Sequence, residues 1–261
     1  MSKIREVLLS VLCSLLILAP GVASAQQKSS LDSTFLVKSS AFRATDLIAP
    51  GVLIGSGLSI HYFAHDTWDV SVHDWAQKLR GDNPERKFDN YLQYLPLAMD
   101  LGMGLVGVDA KRGFVDRTIE SSLAHLSLGV VSWTCKKAFH TLRPNEVDYR
   151  SFPSGHTDLV FLSAELVRME YGWGWGGVAY ASAATVAFMR LYNNWHWFSD
   201  VVFGAGIGIL TAHIGEWLLE PTKNLFGIRT TDWGNGRAKA VVAPSLDPVS
   251  GAMCATFALN F

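Results

Sequence analysis

Charge is what this sequence has least of. Of its 261 residues, 17% are Asp, Glu, Lys or Arg, against about 25% in an ordinary globular chain. The two signs nearly cancel, with 22 basic and 23 acidic residues and a formal net charge of −1. The chain therefore lacks the basic excess on which general nucleic-acid binding depends. Cysteine is scarce too: three in the whole chain exclude a small disulfide-built scaffold. No internal repeat is present. A hydrophobic share of 49%, with almost no net charge, excludes intrinsic disorder. The mean hydropathy of +0.19 is high for a soluble domain and low for a chain made mostly of membrane spans.

The N-terminal segment accounts for part of that hydropathy. Lys3 and Arg5 precede an apolar run from Val7 to Leu18, followed by Pro20, Gly21 and the triplet Ala23-Ser24-Ala25. A positive flank, a short apolar core and an A-x-A site make a secretory signal peptide over residues 1–25, cleaved before Gln26. Cys13 leaves with it, and Cys135, inside an apolar helical run, reads as a small buried residue. A helical domain is expected over 26–221 and a polar tail over 222–261. In that tail two β-prone runs, Ala240–Pro244 and Met253–Phe261, predict a short hairpin.

Between the ends the pattern is helical. Nearly uncharged runs lie at 47–64, 91–108, 121–135, 157–165, 171–189 and 201–215. Most are borderline for a spanning helix and generous for a core helix. The expected fold is all-α, an up-and-down bundle of about six helices. Gly172, Gly174, Gly176, Gly177, Gly204, Gly206 and Gly208 suit close helix packing, and Trp173, Trp175, Trp195 and Trp197 fall near helix ends, as interfacial tryptophans do. Residues 65–90 are charged and read as a connecting segment with a short amphipathic helix around Trp75.

Three stretches carry chemistry. They are Lys136 to Pro144, Pro153-Ser154-Gly155-His156, and Arg190 to Asp200. His196 and Asp200 are four apart, so on a helix they share a face. Asp200 then accepts from one imidazole nitrogen and leaves the other free to attack. Ser154 and Gly155 precede a helix whose first backbone N–H groups point at a bound anion. Lys136, Arg143 and Arg190 add three cations without acidic neighbours in sequence. Such a set suits a phosphoryl group, whose transfer needs charge neutralisation and in-line geometry. Lys136 ends one helix, His156 begins the next, Arg190 ends a third and His196–Asp200 begins a fourth. In an up-and-down bundle all four positions fall at one end.

These stretches resemble the tripartite signature of the type 2 phosphatidic acid phosphatase (PAP2) superfamily, K-x6-RP, PSGH and SR-x5-H-x3-D. That superfamily includes membrane lipid phosphatases, soluble bacterial acid phosphatases and vanadium haloperoxidases. Ten positions match in order and spacing: Lys136, Arg143, Pro144, Pro153, Ser154, Gly155, His156, Arg190, His196 and Asp200. Two features depart from the pattern. Met189 stands where the signature has serine, costing a hydrogen bond around Arg190, and only eight residues separate Pro144 from Pro153, leaving little room for a lid.

The resemblance implies roles. His196 would be the nucleophile, Asp200 its orienting partner and His156 the general acid. Lys136, Arg143, Ser154, Gly155 and Arg190 would hold the phosphoryl oxygens. It implies no metal and no cofactor, because the cations supply the positive charge. Among the remaining residues, His61, His65, His125 and His213 read as core histidines, His73 and His140 as surface or loop residues, and Lys137 as a solvated neighbour. Asp158 complements its helix dipole, and Glu165 and Arg168, three apart, pair within the bundle. The chain's few charges are thus expected to gather at the phosphate site.

The expected function is a phosphatase acting on an envelope lipid, with lipid A phosphate weakly favoured over undecaprenyl diphosphate and phosphatidylglycerol phosphate. The alternatives are a soluble periplasmic acid phosphatase and a non-catalytic phosphate-binding scaffold. The expected partners are a phosphorylated lipid and a membrane, with no nucleic acid. The expected location is the cell envelope, either the inner membrane with the site facing the periplasm or the periplasm itself. Three apolar runs precede Lys136. Were all three full crossings after a cleaved signal, the site would face the cytoplasm, so this expectation goes with one run that does not span, a signal retained as part of the structure, or a bundle that is largely periplasmic.

Overall fold

Gly172 divides the longest helical stretch of the protein into two legs. In the computed structural model, which describes residues 43–236 and the strands at 239–246 and 253–260, helix runs from Gly155 to Tyr192 with a break at Gly172 (φ 78°, ψ −176°). That φ lies where L side chains are strained and glycine is not. The chain reverses there. Val160, Ala164 and Val167 on the first leg pack with Val186, Ala183 and Ala179 on the second, an antiparallel hairpin that returns Arg190 to the level of His156.

In chain order the helices are α1 (Ile48–Phe63), α2 (Val70–Arg80), α3 (Asp89–Leu92), α4 (Leu95–Gly102), α5 (Phe114–Phe139), α6 (Gly155–Tyr192) and α7 (Phe198–Phe226). Counting the legs of α6 separately and setting aside the single turn of α3, this is an all-α bundle close to the expected six helices. Strands β1 (Lys239–Leu246) and β2 (Met253–Asn260) pair antiparallel, with Lys239 opposite Asn260. The signal segment at 1–25 lies outside the described residues.

Helix α7 is the centre of the bundle. Its Phe203, Ile207 and Ala212 join Ala124, Leu128, Val131 and Cys135 of α5 and Leu162 and Leu166 of α6 in one buried cluster. Small residues set the spacing. A Cβ on Gly208 would lie 2.3 Å from the Asp158 carbonyl oxygen, and one on Gly215 would lie 2.7 Å from that of Glu120. Gly57 of α1 meets the backbone of Phe203 in the same way. Helices α1, α5 and α6 therefore approach α7 almost backbone to backbone, which fixes their ends relative to one another.

Helix α7 is long and apolar enough to cross a membrane, although 78% of its most apolar window is buried inside the protein. Helix α1 bends by 96° into the segment leading through α2. The run at 91–108 contains α4, eight residues long, about 12 Å at 1.5 Å per residue and far short of the ~30 Å hydrocarbon thickness. By itself α4 is too short to span, so among the described residues this run holds no helix long enough to be counted as a crossing.

The charges do not all gather at one end. Far from Lys136, Arg112 is paired with Glu120, Glu170 and Glu216, and Lys223 meets Asp116 at 2.8 Å. Glu165 pairs with Arg168, accepts from Tyr180 Oη at 2.6 Å and meets His213 at 3.0 Å. The expectation of a single charged region was too narrow because charged residues distant in sequence are brought together by the bundle. Low charge content here means buried, paired charge.

Candidate active site

The residues singled out in the sequence meet at one end of the bundle, where α5 finishes, both legs of α6 converge and α7 begins. His196 stands in the short connection between α6 and α7, not on a helix. Trp197, the residue before α7, is extended (φ −77°, ψ 162°). The shared helical face expected for His196 and Asp200 is therefore replaced by another arrangement. Asp200, in the first turn of α7, reaches back so that its Oδ2 accepts the Trp197 N–H at 2.8 Å and lies 3.3 Å from His196 Nδ1. Ser151 Oγ donates to the same oxygen. Asp200 is fully buried and His196 4% exposed.

This geometry fixes a tautomer. An ionised carboxylate accepts only, so His196 Nδ1 carries the proton and Nε2 keeps its lone pair. Arg143 supports the assignment from the other side, since its Nη1, an obligate donor, lies 3.0 Å from His196 Nε2. Burial lowers the His196 pKa to about 4, against the opposing pull of the Asp200 carboxylate. The ring is neutral at pH 7, as a nitrogen nucleophile must be.

Arg143 is held at several points. Its Nε donates to Asp148 at 2.8 Å, Nη1 reaches the Trp195 carbonyl at 3.0 Å, and the guanidinium lies 5.4 Å from the centre of the Trp195 ring. Lys136 Nζ, on the last turn of α5, donates to the carbonyls of Pro153 and, at 3.3 Å, Arg150. Arg190 ends the second leg of α6, pairs with Asp89 and keeps a buried Nε that has no hydrogen-bond partner among the described residues. Met189 beside it is buried.

Ser154 caps α6 with an extended backbone, and Thr157 Oγ1 donates to its hydroxyl at 2.9 Å. Gly155 faces open space where a Cβ would stand, and the first amides of α6 are the donors that a helix N-terminus offers an anion. His156, one residue on, makes a 3.1 Å hydrogen bond through Nε2 to Asn90 Oδ1. Burial, followed by the charges of Arg190, His196, Arg143 and Lys136, lowers its pKa to about 4.

Some residues of this end were not singled out in the sequence. Asp89 and Asn90 lie at the close of the segment read as a connection, roughly a hundred positions from Arg190, and nothing local marks them. Ser151 and Asp148 sit in the short Pro144–Pro153 link, where adjacency to the motif was the available signal. Trp195 and Trp197 frame the site: their indole N–H groups donate to Glu85 and to the Leu142 carbonyl. His73 is no simple surface residue, since its Nε2 meets Asn194 Oδ1 at 2.9 Å and its ring packs on Trp197. Asp158 does more than complement a helix dipole, being buried and accepting from Ser132 Oγ at 2.8 Å.

Comparison with known proteins follows the same residues. Residues 123–221 match the family model described as PAP2 superfamily. A lipid A 1-phosphatase of Porphyromonas gingivalis is 35% identical over 136 residues, which are 51% of this chain and 31% of that protein. The chain thus spans about a third of the length of the curated relative it matches. The crystal structure of Aquifex aeolicus LpxE superposes with a TM-score of 0.45 at 22% identity, over 56% of this chain and 93% of that one. The region that matches the PAP2 superfamily model, residues 123–221, holds all eight residues gathered here around His196.

Proposed function

We propose that the protein is a phosphatase that removes a phosphoryl group from an envelope lipid, with the phosphate of lipid A the favoured substrate. The observation that carries the reading is the His196 ring. It is neutral, its tautomer is set by Asp200, and its free Nε2 faces Arg143 in a setting that also contains Lys136 and Arg190. Binding a phosphate needs the cations alone; a buried, oriented imidazole with a free lone pair is what a covalent step requires.

In this reading Arg143, Lys136, Arg190 and the first amides of α6 neutralise the phosphoryl oxygens. His196 Nε2 forms a bond to phosphorus as the bond to the leaving oxygen breaks, and His156 gives its proton to that oxygen. Water then attacks the phosphohistidine, the P–N bond breaks, His156 takes the water's proton and inorganic phosphate departs. Each cation held at about 4 Å contributes up to ~4 kcal/mol at an effective dielectric near 20.

A lipid substrate is supported by the surroundings and by the lipid A 1-phosphatase relative. Tyr91, Val147 and Tyr149, beside Asn90 and Asp148 in the chain, are 80%, 67% and 52% exposed, an apolar setting suited to a membrane surface. The short Pro144–Pro153 link leaves the site without a lid from that side. We place the protein in the cell envelope, associated with the membrane.

The test is phosphate release by purified protein from lipid A, undecaprenyl diphosphate, phosphatidylglycerol phosphate and p-nitrophenyl phosphate, alongside His196→Ala. The proposal expects release from a lipid and none from the variant. Release from p-nitrophenyl phosphate alone would favour a soluble acid phosphatase. No release, with phosphate binding intact in His196→Ala, would favour a binding scaffold.

A further inference from the structure

Helix α3 is a single turn outside the matched region, yet two consecutive residues of it grip two separate parts of the site. Asp89, fully buried, pairs with Arg190, and Asn90 Oδ1 lies 3.1 Å from His156 Nε2 and 3.5 Å from Arg190 Nη2. The Arg190 contact identifies which end of the amide faces inward. A guanidinium can only donate, so the Asn90 atom beside it is the carbonyl oxygen. That oxygen cannot donate to His156, so His156 Nε2 must carry a hydrogen.

We propose that Asn90 is a positioning residue for the general acid, accepting the His156 Nε2–H so that the ring is held in one orientation and its protonated form is favoured. The assignment rests on the phosphatase reading, in which His156 protonates the leaving oxygen. Without Asn90 the groups facing His156 are Arg190 from the end of α6, His196 and Arg143 from the loops, and Lys136 from α5. All are cationic or neutral, and all oppose a positive charge on the ring. Asn90 is the acceptor that works in the other direction. A hydrogen bond to an amide oxygen strengthens when its donor becomes an imidazolium, so Asn90 supports the proton at the stage when it must be transferred. Asp89 sets its distance, because the Arg190 ion pair ties the same turn of helix to the bundle.

The consequence is a signature that a merely structural residue does not give. In the enzyme–substrate complex the alkaline limb of kcat reports the group that must stay protonated. Asn90→Ala removes the acceptor and moves that limb down by about one pH unit. Asn90→Asp keeps the shape, adds a negative charge and moves it up. The dependence on the leaving group changes as well. A p-nitrophenolate departs with little help from an acid, whereas the sugar oxygen of lipid A needs a proton. Asn90→Ala is therefore expected to lose at least about tenfold more turnover on lipid A than on p-nitrophenyl phosphate.

The experiment is a pH profile of kcat on both substrates for wild type, Asn90→Ala and Asn90→Asp, with thermal melts to establish that each variant is folded. Opposite shifts of the alkaline limb and a substrate-selective loss are the expected result. Equal losses on both substrates, or limbs that stay put or move together, overturn the assignment while leaving the phosphatase reading intact. A wild type that turns over neither substrate overturns the phosphatase reading, and the assignment falls with it. The Asp variant, close to isosteric, keeps the test decisive if the Ala variant melts early.

Discussion

Arg143 Nη1 and His196 Nε2 face each other across 3.0 Å. The cation thus occupies the approach to the lone pair that would attack phosphorus. In the proposed reaction the substrate's phosphoryl group comes between them, and the guanidinium exchanges a ring nitrogen for phosphoryl oxygens. Its attachments to Asp148, the Trp195 carbonyl and the Trp195 ring set the plane of the fork. Lysine would keep the charge and lose the fork. Arg143→Lys is expected to lower kcat by about 10²-fold, near the low end of the cost of a lost oxyanion donor. Steady-state rates on lipid A give the answer, and a change under threefold would deny Arg143 this role.

Asp200 holds the tautomer. Its Oδ2 receives the Trp197 N–H, the Ser151 hydroxyl and the His196 Nδ1–H. An amide in its place presents either a donor or a weaker acceptor to Nδ1 and no longer fixes the proton there. Asp200→Asn is expected to reduce turnover by about 10³–10⁴-fold, the scale seen when a carboxylate that orients a catalytic histidine is replaced by its amide. Ser151→Ala removes one of three donors, a net loss of about 1 kcal/mol, and is expected to cost about fivefold. Single-turnover rates measure both, and a larger effect for Ser151→Ala than for Asp200→Asn would invert this order.

The two histidines define a pH window. Burial is the leading cause of each lowered pKa, to about 4 for both His196 and His156. Below about pH 4 His196 gains a proton and loses its lone pair. Above it His156 is a neutral imidazole in the free enzyme, its one proton on Nε2 facing Asn90, so the transferred proton arrives with the substrate monoanion. That monoanion gives way to the dianion around pH 6. The profile of kcat/KM, which reports free enzyme and free substrate, is therefore expected to peak between about pH 4 and 6 and fall on both sides. An optimum above pH 8 would contradict both assignments.

The packing of α6 on α7 is tested by one methyl group. A Cβ on Gly208 would meet the Asp158 carbonyl oxygen at 2.3 Å and the Leu162 nitrogen at 2.9 Å, backbone atoms that yield only if the helices part. Gly208→Ala is expected to cost about 1–3 kcal/mol and to lower activity, because α6 carries His156 and α7 carries Asp200. Gly55→Ala is the control, with nothing within 4 Å of the added carbon and a gain of up to ~1 kcal/mol from helix propensity. Thermal midpoints separate the two, and equal midpoints would mean that the close approach does not set the bundle's stability.

Most of the bundle and the eight proposed site residues were legible because local signals carry them. Long apolar runs, the proline and glycine before α6, and fixed spacings within three short stretches are properties of neighbouring residues. Four things were not legible, each for a physical reason. The reversal at Gly172 is a matter of one φ angle, which leaves no periodic trace in a run containing four glycines. The Arg112 cluster joins one residue before α5 to glutamates on three helices, so no local pattern links its members. Asp89 and Asn90 act across about a hundred residues, and their segment, charged and non-periodic, reads locally as a connection. The loop placement of His196 belongs with these, since a spacing of four fits a helix and also fits a capping carboxylate that reaches back.

The central claim is that His196 becomes phosphorylated during turnover. A rapid-quench experiment with 32P-labelled lipid A measures it directly, using an alkaline quench because a phosphohistidine survives base and is lost in acid. The account predicts a transient protein-bound label on His196 that forms no more slowly than turnover and is absent from His196→Ala. Sustained phosphate release with no label on the protein, or with full activity retained in His196→Ala, would contradict it.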